Sequence, residues 1–392
     1  MKYNKNKNRI RIYMKTYFFI ILSFLFNCRI QDIEKPPLIN LLGGINQTGK
    51  IGVVSSDLGP AGRYSTMSLD GLSVPSSYVN IHSDAEARYY LDKVYILNKL
   101  NRDNIQVINP ALANITEIEF TVGRGMNPQD IVVLNQNKAY VTLLNDSGIL
   151  IVNPSTGLHI GKIDLSAYAD KEDNLPEASG MIEYKGKLYV ALQRLNRKAS
   201  GGIWPPTNYS SLLEIDTSSE TVIAEYRLKG KNPVGQIQLI NLDGEPHLVF
   251  ACPAYQGFNF KIDGGVEAFN LRTKTSRANY LYSEETAGGD ILEAILLDET
   301  TAYAIVQFRD FSSALHRFNP LTGEKQKELS FYPASGGYVT GLLIAPNAYL
   351  YTGDSSYTNP GIMIYDSKNA DKKVVPLPVN VGLRPTGMIY IP

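Results

Sequence analysis

Cysteine is nearly absent from this chain: Cys28 and Cys252 are the only two in 392 residues. Two thiols make no disulfide framework, and no C-x-x-C pair is available for a zinc or redox site. Tryptophan occurs once, and histidine four times, at His82, His159, His247 and His316. Neither H-E-x-x-H nor G-x-S-x-G occurs, so a helix-borne zinc hydrolase site and a nucleophile elbow are both excluded. Gly123-Arg124-Gly125 leads into a strand rather than a helix, which rules out a phosphate loop. A bilayer-spanning stretch is also missing from the N-terminus. The apolar run at residues 16–26 is too short to cross as a stable helix.

Charge of one sign is confined to the N-terminus. Lys2, Lys5, Lys7, Arg9, Arg11 and Lys15 stand in residues 1–27 without an acidic side chain. Removing that segment leaves 32 basic against 38 acidic residues, a formal charge of −6. Nucleic-acid binding needs a basic footprint to neutralise phosphates, so no nucleic acid is expected as a partner.

A basic stretch followed by a short apolar run is the pattern of a signal peptide, here residues 1–27. Leu25-Phe26-Asn27-Cys28 resembles a lipoprotein signal-peptidase box, with Leu at −3 and Cys at +1. It departs at −1, where Asn27 replaces a small residue. The resemblance implies acylation of Cys28 and attachment to a lipid bilayer, and hence a place in the cell envelope, at the outer membrane or cell surface. Residues 28–49 then form the lipidated N-terminus and a tether, interrupted by Pro36-Pro37 and Gly43-Gly44. Cys252 is expected to be a small buried hydrophobe at a strand end.

What the chain has in quantity is tyrosine, 25 residues, and a repeat. The unit is clearest at 127–165. Asp130-Ile131-Val132-Val133 is followed by a polar turn and then by Lys138-Ala139-Tyr140-Val141-Thr142. Ile149-Leu150-Ile151-Val152 comes next, then Asn153-Pro154, a turn closed by Gly157, and a last strand at 158–165. Four strands separated by turn chemistry are the content of one propeller blade. The Lys-x-Tyr strand recurs at Tyr95 and Tyr189, with weaker copies at Tyr303 and Tyr351. The third strand ends in Asn or Asp seven times: Asp70, Asn109, Asn153, Asp216, Asn270, Asn319 and Asp366. Such side chains accept from the backbone two residues on and start a turn. Seven endings predict an all-β fold, a seven-bladed β-propeller spanning residues 50–392. The segment 385–390 reads as an innermost strand with nothing after it. Residues 50–54, 63–69 and 72–79 read as strands of a blade that lacks one. Pairing of the N- and C-terminal strands would close the ring and leave no free sheet edge at the seam. The repeat resembles bacterial propellers of the YVTN type, with Tyr140-Val141-Thr142 carrying the namesake motif and Leu143 in place of its Asn.

Loops joining second to third strands, together with those between blades, share one face of a propeller. Here they are long, at 194–210, 253–264, 307–313 and 353–360, with an acidic inter-blade loop at 167–176. Turns on the opposite face are short. The long loops carry candidate ligand-binding residues: Arg194, Trp204, Tyr255, Phe258, Arg309, Phe311 and Tyr357. Phe260, Phe308, Arg197 and Lys198 stand beside them. Aromatic and Arg side chains dominate binding hot spots because they bury much area and keep a polar handle. This favours a binding or scaffold propeller whose partner is a protein or a glycan. The alternative is a lactonase- or lyase-like enzyme acting at the channel mouth, with His82 near Asp84 and Glu86 as its one acid–base candidate. Innermost strands are expected to start near Asp84, Asp130, Ser179, Gln236, Glu293, Thr340 and Thr386. Polar groups there would line a hydrated channel or hold Ca²⁺; no other cofactor is expected.

Overall fold

The computed structural model describes residues 49–74, 77–199, 204–255 and 261–392. The signal segment, Cys28, the tether, Phe258 and Phe260 lie outside these. The chain divides into two units, Met1–Thr48 and Gly49–Pro392, and the second contains everything described.

That unit is a ring of seven antiparallel sheets. The innermost strands of blades 2 to 7 are Ala85–Tyr90, Pro128–Asn135, Ala178–Tyr184, Val234–Leu242, Asp290–Leu296 and Val339–Ile344. In blade 1 the innermost strand is Arg384–Ile391, from the other end of the chain. It pairs with Lys50–Ser56, which pairs in turn with Ala61–Ser68 and then Val79–His82. The ring is therefore closed by the two ends of the domain, as the unmatched strands implied. The outer strand of this blade begins later than expected. Leu72 belongs to a loop, and His82 ends the outermost strand, its backbone N–H donating to Asn98 Oδ1 of blade 2 at 2.7 Å. His82 Nδ1 accepts from the Asp84 backbone N–H at 3.1 Å.

Packing follows the repeat. The buried apolar residues form seven clusters, each between two neighbouring blades. The seam between blades 7 and 1 is filled like the others, by Ile51, Met67 and Met388 against Tyr351, Ile362 and Ile364. Cys252 ends the second strand of blade 5 and is fully buried; burial pushes its thiol well up.

The short-turn face is built from two recurring devices. All seven third-strand Asn or Asp side chains accept from the N–H two residues on, at 2.8–3.1 Å. The repeat tyrosines then tie blade to blade. Tyr140 donates to Thr217 O at 3.2 Å, Tyr303 to Asp371 at 2.5 Å and Tyr351 to Leu69 O at 2.6 Å. Tyr189 receives Lys274 Nζ at 2.7 Å. Each bond runs from the second strand of one blade to the turn that follows the third strand of the next. A buried phenol must find such a partner, which accounts for tyrosine over phenylalanine in this strand.

Candidate functional site on the long-loop face

The connections after the second strands vary in length and sequence, and each is held in its own way. Arg197, in the blade 4 loop, is the hub. Its Nη1 donates to Asn145 Oδ1 and its Nη2 to Leu144 O, both at 2.6 Å, which fastens the blade 3 loop. Its guanidinium lies 4.6 Å from the Trp204 ring. Its Nε sits 3.0 Å from Glu177 Oε1, an ionic approach rather than an aligned hydrogen bond.

Glu177 is fully buried and has φ +46°. The corresponding left-handed position at the entry to other innermost strands is Asn127, Asn232, Gly288, Gly337 or Gly382. Glutamate gains nothing from that conformation, so its side chain must be what is kept. Burial pushes its carboxyl up to about 8. The Leu195 N–H pulls the other way, Asp173 adds to the rise, and Arg197 opposes it. Glu284, in the connection between blades 5 and 6, is also buried. It accepts from Asp263, Gly264 and Ile291 N–H at 2.8–3.1 Å. Burial raises it to about 8 despite those bonds.

The candidate residues divide by environment. Arg194 is buried rather than presented: it pairs with Glu225 at 2.9 Å and lies 4.3 Å from the Tyr209 ring. Phe308 is half-buried, facing Phe331 and His316. Tyr255 is half-buried with Lys261 over its ring, whereas Arg309 and Lys198 are exposed. Trp204, Phe311 and Tyr357 are exposed, and Arg384 stacks over Tyr357 at 4.8 Å. Beside Arg194 lies a recess of about 590 Å³, bounded by residues 169–172 and 205–209.

Exposed apolar side chains missed in the sequence complete the pattern. Leu58, Leu100 and Ile262 also stand in connections between second and third strands. Among the described residues, blades 1, 2, 4, 5, 6 and 7 thus each present one large apolar group, 42–51 % exposed: Leu58, Leu100, Trp204, Ile262, Phe311 and Tyr357. In blade 3 the loop is instead covered by Arg197 beneath Trp204. Leu58, Leu100 and Phe311 have φ of +62°, +35° and +63°. Bulky residues in this region are strained and would normally be replaced by Gly or Asn. A leucine in a short polar turn is the signal the sequence carries for these positions.

The channel is a separate polar site. Arg88 Nε contacts Asp130 Oδ1 at 2.7 Å and its Nη2 contacts Glu86 Oε2 at 2.8 Å, while Lys99 pairs with the other Glu86 oxygen. Burial alone would raise Glu86, but Lys99 and Arg88 outweigh it and hold the carboxyl down to about 2. Across the channel, burial raises Glu293 to about 7 against a single N–H from Leu342. The void between them is about 110 Å³, which suits a few water molecules. Among the described residues no three His, Cys, Asp or Glu side chains gather as a metal site. Glu86 and Asp130 are already neutralised by cations.

No family model matches the chain, and no curated protein matches it in sequence. Solved structures do match in shape. A putative 6-phosphogluconolactonase from Bacteroides fragilis has a TM-score of 0.57 at 14 % identity, over 89 % of this chain and 99 % of that one. Apo AztD from Citrobacter koseri gives 0.53 at 12 %, over 88 % and 98 %. The dihydro-heme d1 dehydrogenase NirN in complex with DHE gives 0.54 at 14 %, over 87 % and 74 %. Likeness at such identities shows that this chain shares their propeller fold, and nothing finer.

Proposed function

We propose that this is a lipid-anchored envelope propeller of the YVTN type that binds a protein partner through its long-loop face. The observation that carries this reading is the crown of apolar side chains, six of them among the described residues, one from each of six blades. Three of them are kept in left-handed backbone at a cost of about 1–2 kcal/mol each. At Leu58 and Leu100 an exposed leucine is held where glycine or asparagine would suit the turn better, so the use of these side chains lies in contact with something else. An apolar crown fits a protein surface better than a glycan, which is polar over most of its area. The enzyme reading has less support, because the His82 Nδ1 is engaged by the Asp84 backbone N–H rather than by a carboxylate.

The test is site-specific photo-crosslinking in intact cells, with the reactive side chain placed at Leu100, Phe311 or Tyr357. A discrete protein adduct is expected from these positions, weakened when Leu58 and Trp204 are changed to Ser. Adducts that do not depend on Leu58 or Trp204, or none at all, would overturn the reading. Labelling with a palmitate analogue tests the anchor separately: wild type should label and Cys28→Ala should not.

A further inference from the structure

The short-turn face carries exposed apolar groups of its own, concentrated in one sector. Leu72 of blade 1, Leu91, Leu112 and Ile115 of blade 2, and Leu158 of blade 3 are 50–84 % exposed. All five sit in or beside the turns after first or third strands. Turn chemistry does not require them, since the preceding Asn or Asp side chain makes the turn after each third strand. The same turns in blades 4, 5 and 7 carry Ser218, Arg272 and Lys368 instead. Leu91 is the sharper case, with φ +50° in a two-residue turn. The equivalent turns in blades 4 and 5 use Lys185-Gly186 and Asp243-Gly244. One further leucine, Leu321 of blade 6, stands apart from this sector.

The start of the domain lies on the same face. Lys50 pairs with Ile391, the last residue of the innermost strand, and with Ser68, the last of the third. It therefore occupies the place where an ordinary blade has its tight turn between first and second strands. From Cys28 to Lys50 is 22 residues, a reach of at most about 75 Å even when fully extended. A chain acylated at Cys28 thus enters the propeller through the short-turn face, in blade 1, beside Leu72.

We propose that the blade 1–3 sector of the short-turn face rests on the lipid surface, its leucines entering the interface and turning the long-loop crown away from the bilayer. This rests on the reading of Cys28 as the anchor. Burying apolar tips between headgroups returns the cost of exposing them to water, and a short tether keeps them within reach.

The full-length acylated protein, reconstituted on vesicles of phosphatidylethanolamine and phosphatidylglycerol at 3:1, provides the test. Nitroxide labels go on cysteines replacing Leu72, Leu112 or Leu158, and for the opposite face Leu58 or Leu100. Collision with oxygen, which concentrates in lipid, is compared with collision with a water-soluble nickel chelate. The ratio is expected to be at least threefold higher at Leu72, Leu112 and Leu158 than at Leu58 and Leu100. Equal ratios on protein that floats with the vesicles overturn the docking and leave the anchor intact. Protein that fails to float overturns both. Spin–spin broadening at Leu112 and Leu158 without the oxygen effect would assign the sector to a second copy of the chain and also overturn the proposal.

Discussion

The two faces of this ring share one backbone topology and are stabilised by opposite means. On the short-turn face, the same two contacts recur: an Asn or Asp side chain closing its own turn, and a tyrosine bonded to the next blade. On the long-loop face almost nothing recurs. Arg197, Glu177 and Glu284 each hold several segments, and at the position where Glu177 enters its innermost strand other blades have Asn or Gly. Repeated local chemistry builds a frame whose parts are interchangeable. The unrepeated face depends on buried charges, which are costly to desolvate and costly to leave unpaired. Stability is thus spread evenly on one face and concentrated at a few residues on the other.

The largest test breaks the ring that both faces share. Deleting residues 384–392 removes the innermost strand of blade 1 and its contribution to two inter-blade clusters. A loss of more than about 5 kcal/mol is expected, since several buried apolar side chains go at once. A truncated protein with the wild-type melting midpoint would show that closure contributes nothing.

Single substitutions should then separate the faces. Arg197→Ala removes two charge-assisted hydrogen bonds that fasten the blade 3 loop, at an expected cost of about 2–4 kcal/mol. Tyr351→Phe removes one bond to Leu69 O and should cost only about 1–2 kcal/mol. Urea unfolding of the two variants compares them directly; equal losses would abolish the distinction.

The faces should also differ in pH response. Glu177 and Glu284, both on the long-loop side, have folded pKa values raised to about 8. For a raised carboxyl the protonated form fits the folded state better. Stability is therefore highest at acid pH for these groups, falls as pH rises from about 4.5, and levels off above about 8. A loss of about 1–3 kcal/mol between pH 6 and pH 9 is expected, within the range for burial of a poorly compensated charge. Thermal melts across that range should show it, and Glu177→Gln should flatten the profile.

Binding should respond where stability barely does. Trp204→Ala with Phe311→Ala is expected to weaken partner binding by about 2 kcal/mol with only a small fall in Tm, since both side chains are largely exposed and Trp204 gives up its stacking on Arg197. Unchanged affinity together with a large fall in Tm would assign both residues to packing. The smallest effect has the opposite sign. Leu58→Gly should stabilise the fold by about 1 kcal/mol through relief of its left-handed strain while weakening binding. A calorimetric melt and a titration on the same variant check both halves.

Legibility followed the same division. Asp70, Asn109 and their five successors announced seven blades because their hydrogen bonds are local, made two residues away whatever the rest of the chain does. Tyr140 and its copies marked the second strands for a related reason, since alternation and a β-favouring side chain are properties of the strand itself. The segment around Leu72 was misread as a strand because apolar residues in a loop carry the same pattern as a strand edge. The long loops were identified by length, and Trp204, Phe311 and Tyr357 stand exposed in them. Arg194 has the same chemistry and is mostly covered by Glu225 and Tyr209, which no composition could reveal.

Sequence alone therefore determined the number of blades, the order of strands and the closure of the ring. Each depends on short-range turn chemistry, repeated seven times, or on a strand left without a partner at each end. Tertiary structure decided which cations meet which carboxylates, that Glu177 lies buried beneath the crown, and that Lys50 emerges opposite it. Those outcomes depend on residues tens to hundreds of positions apart meeting in a low-dielectric interior. Their energies arise only once the ring has closed and brought the loops of neighbouring blades together.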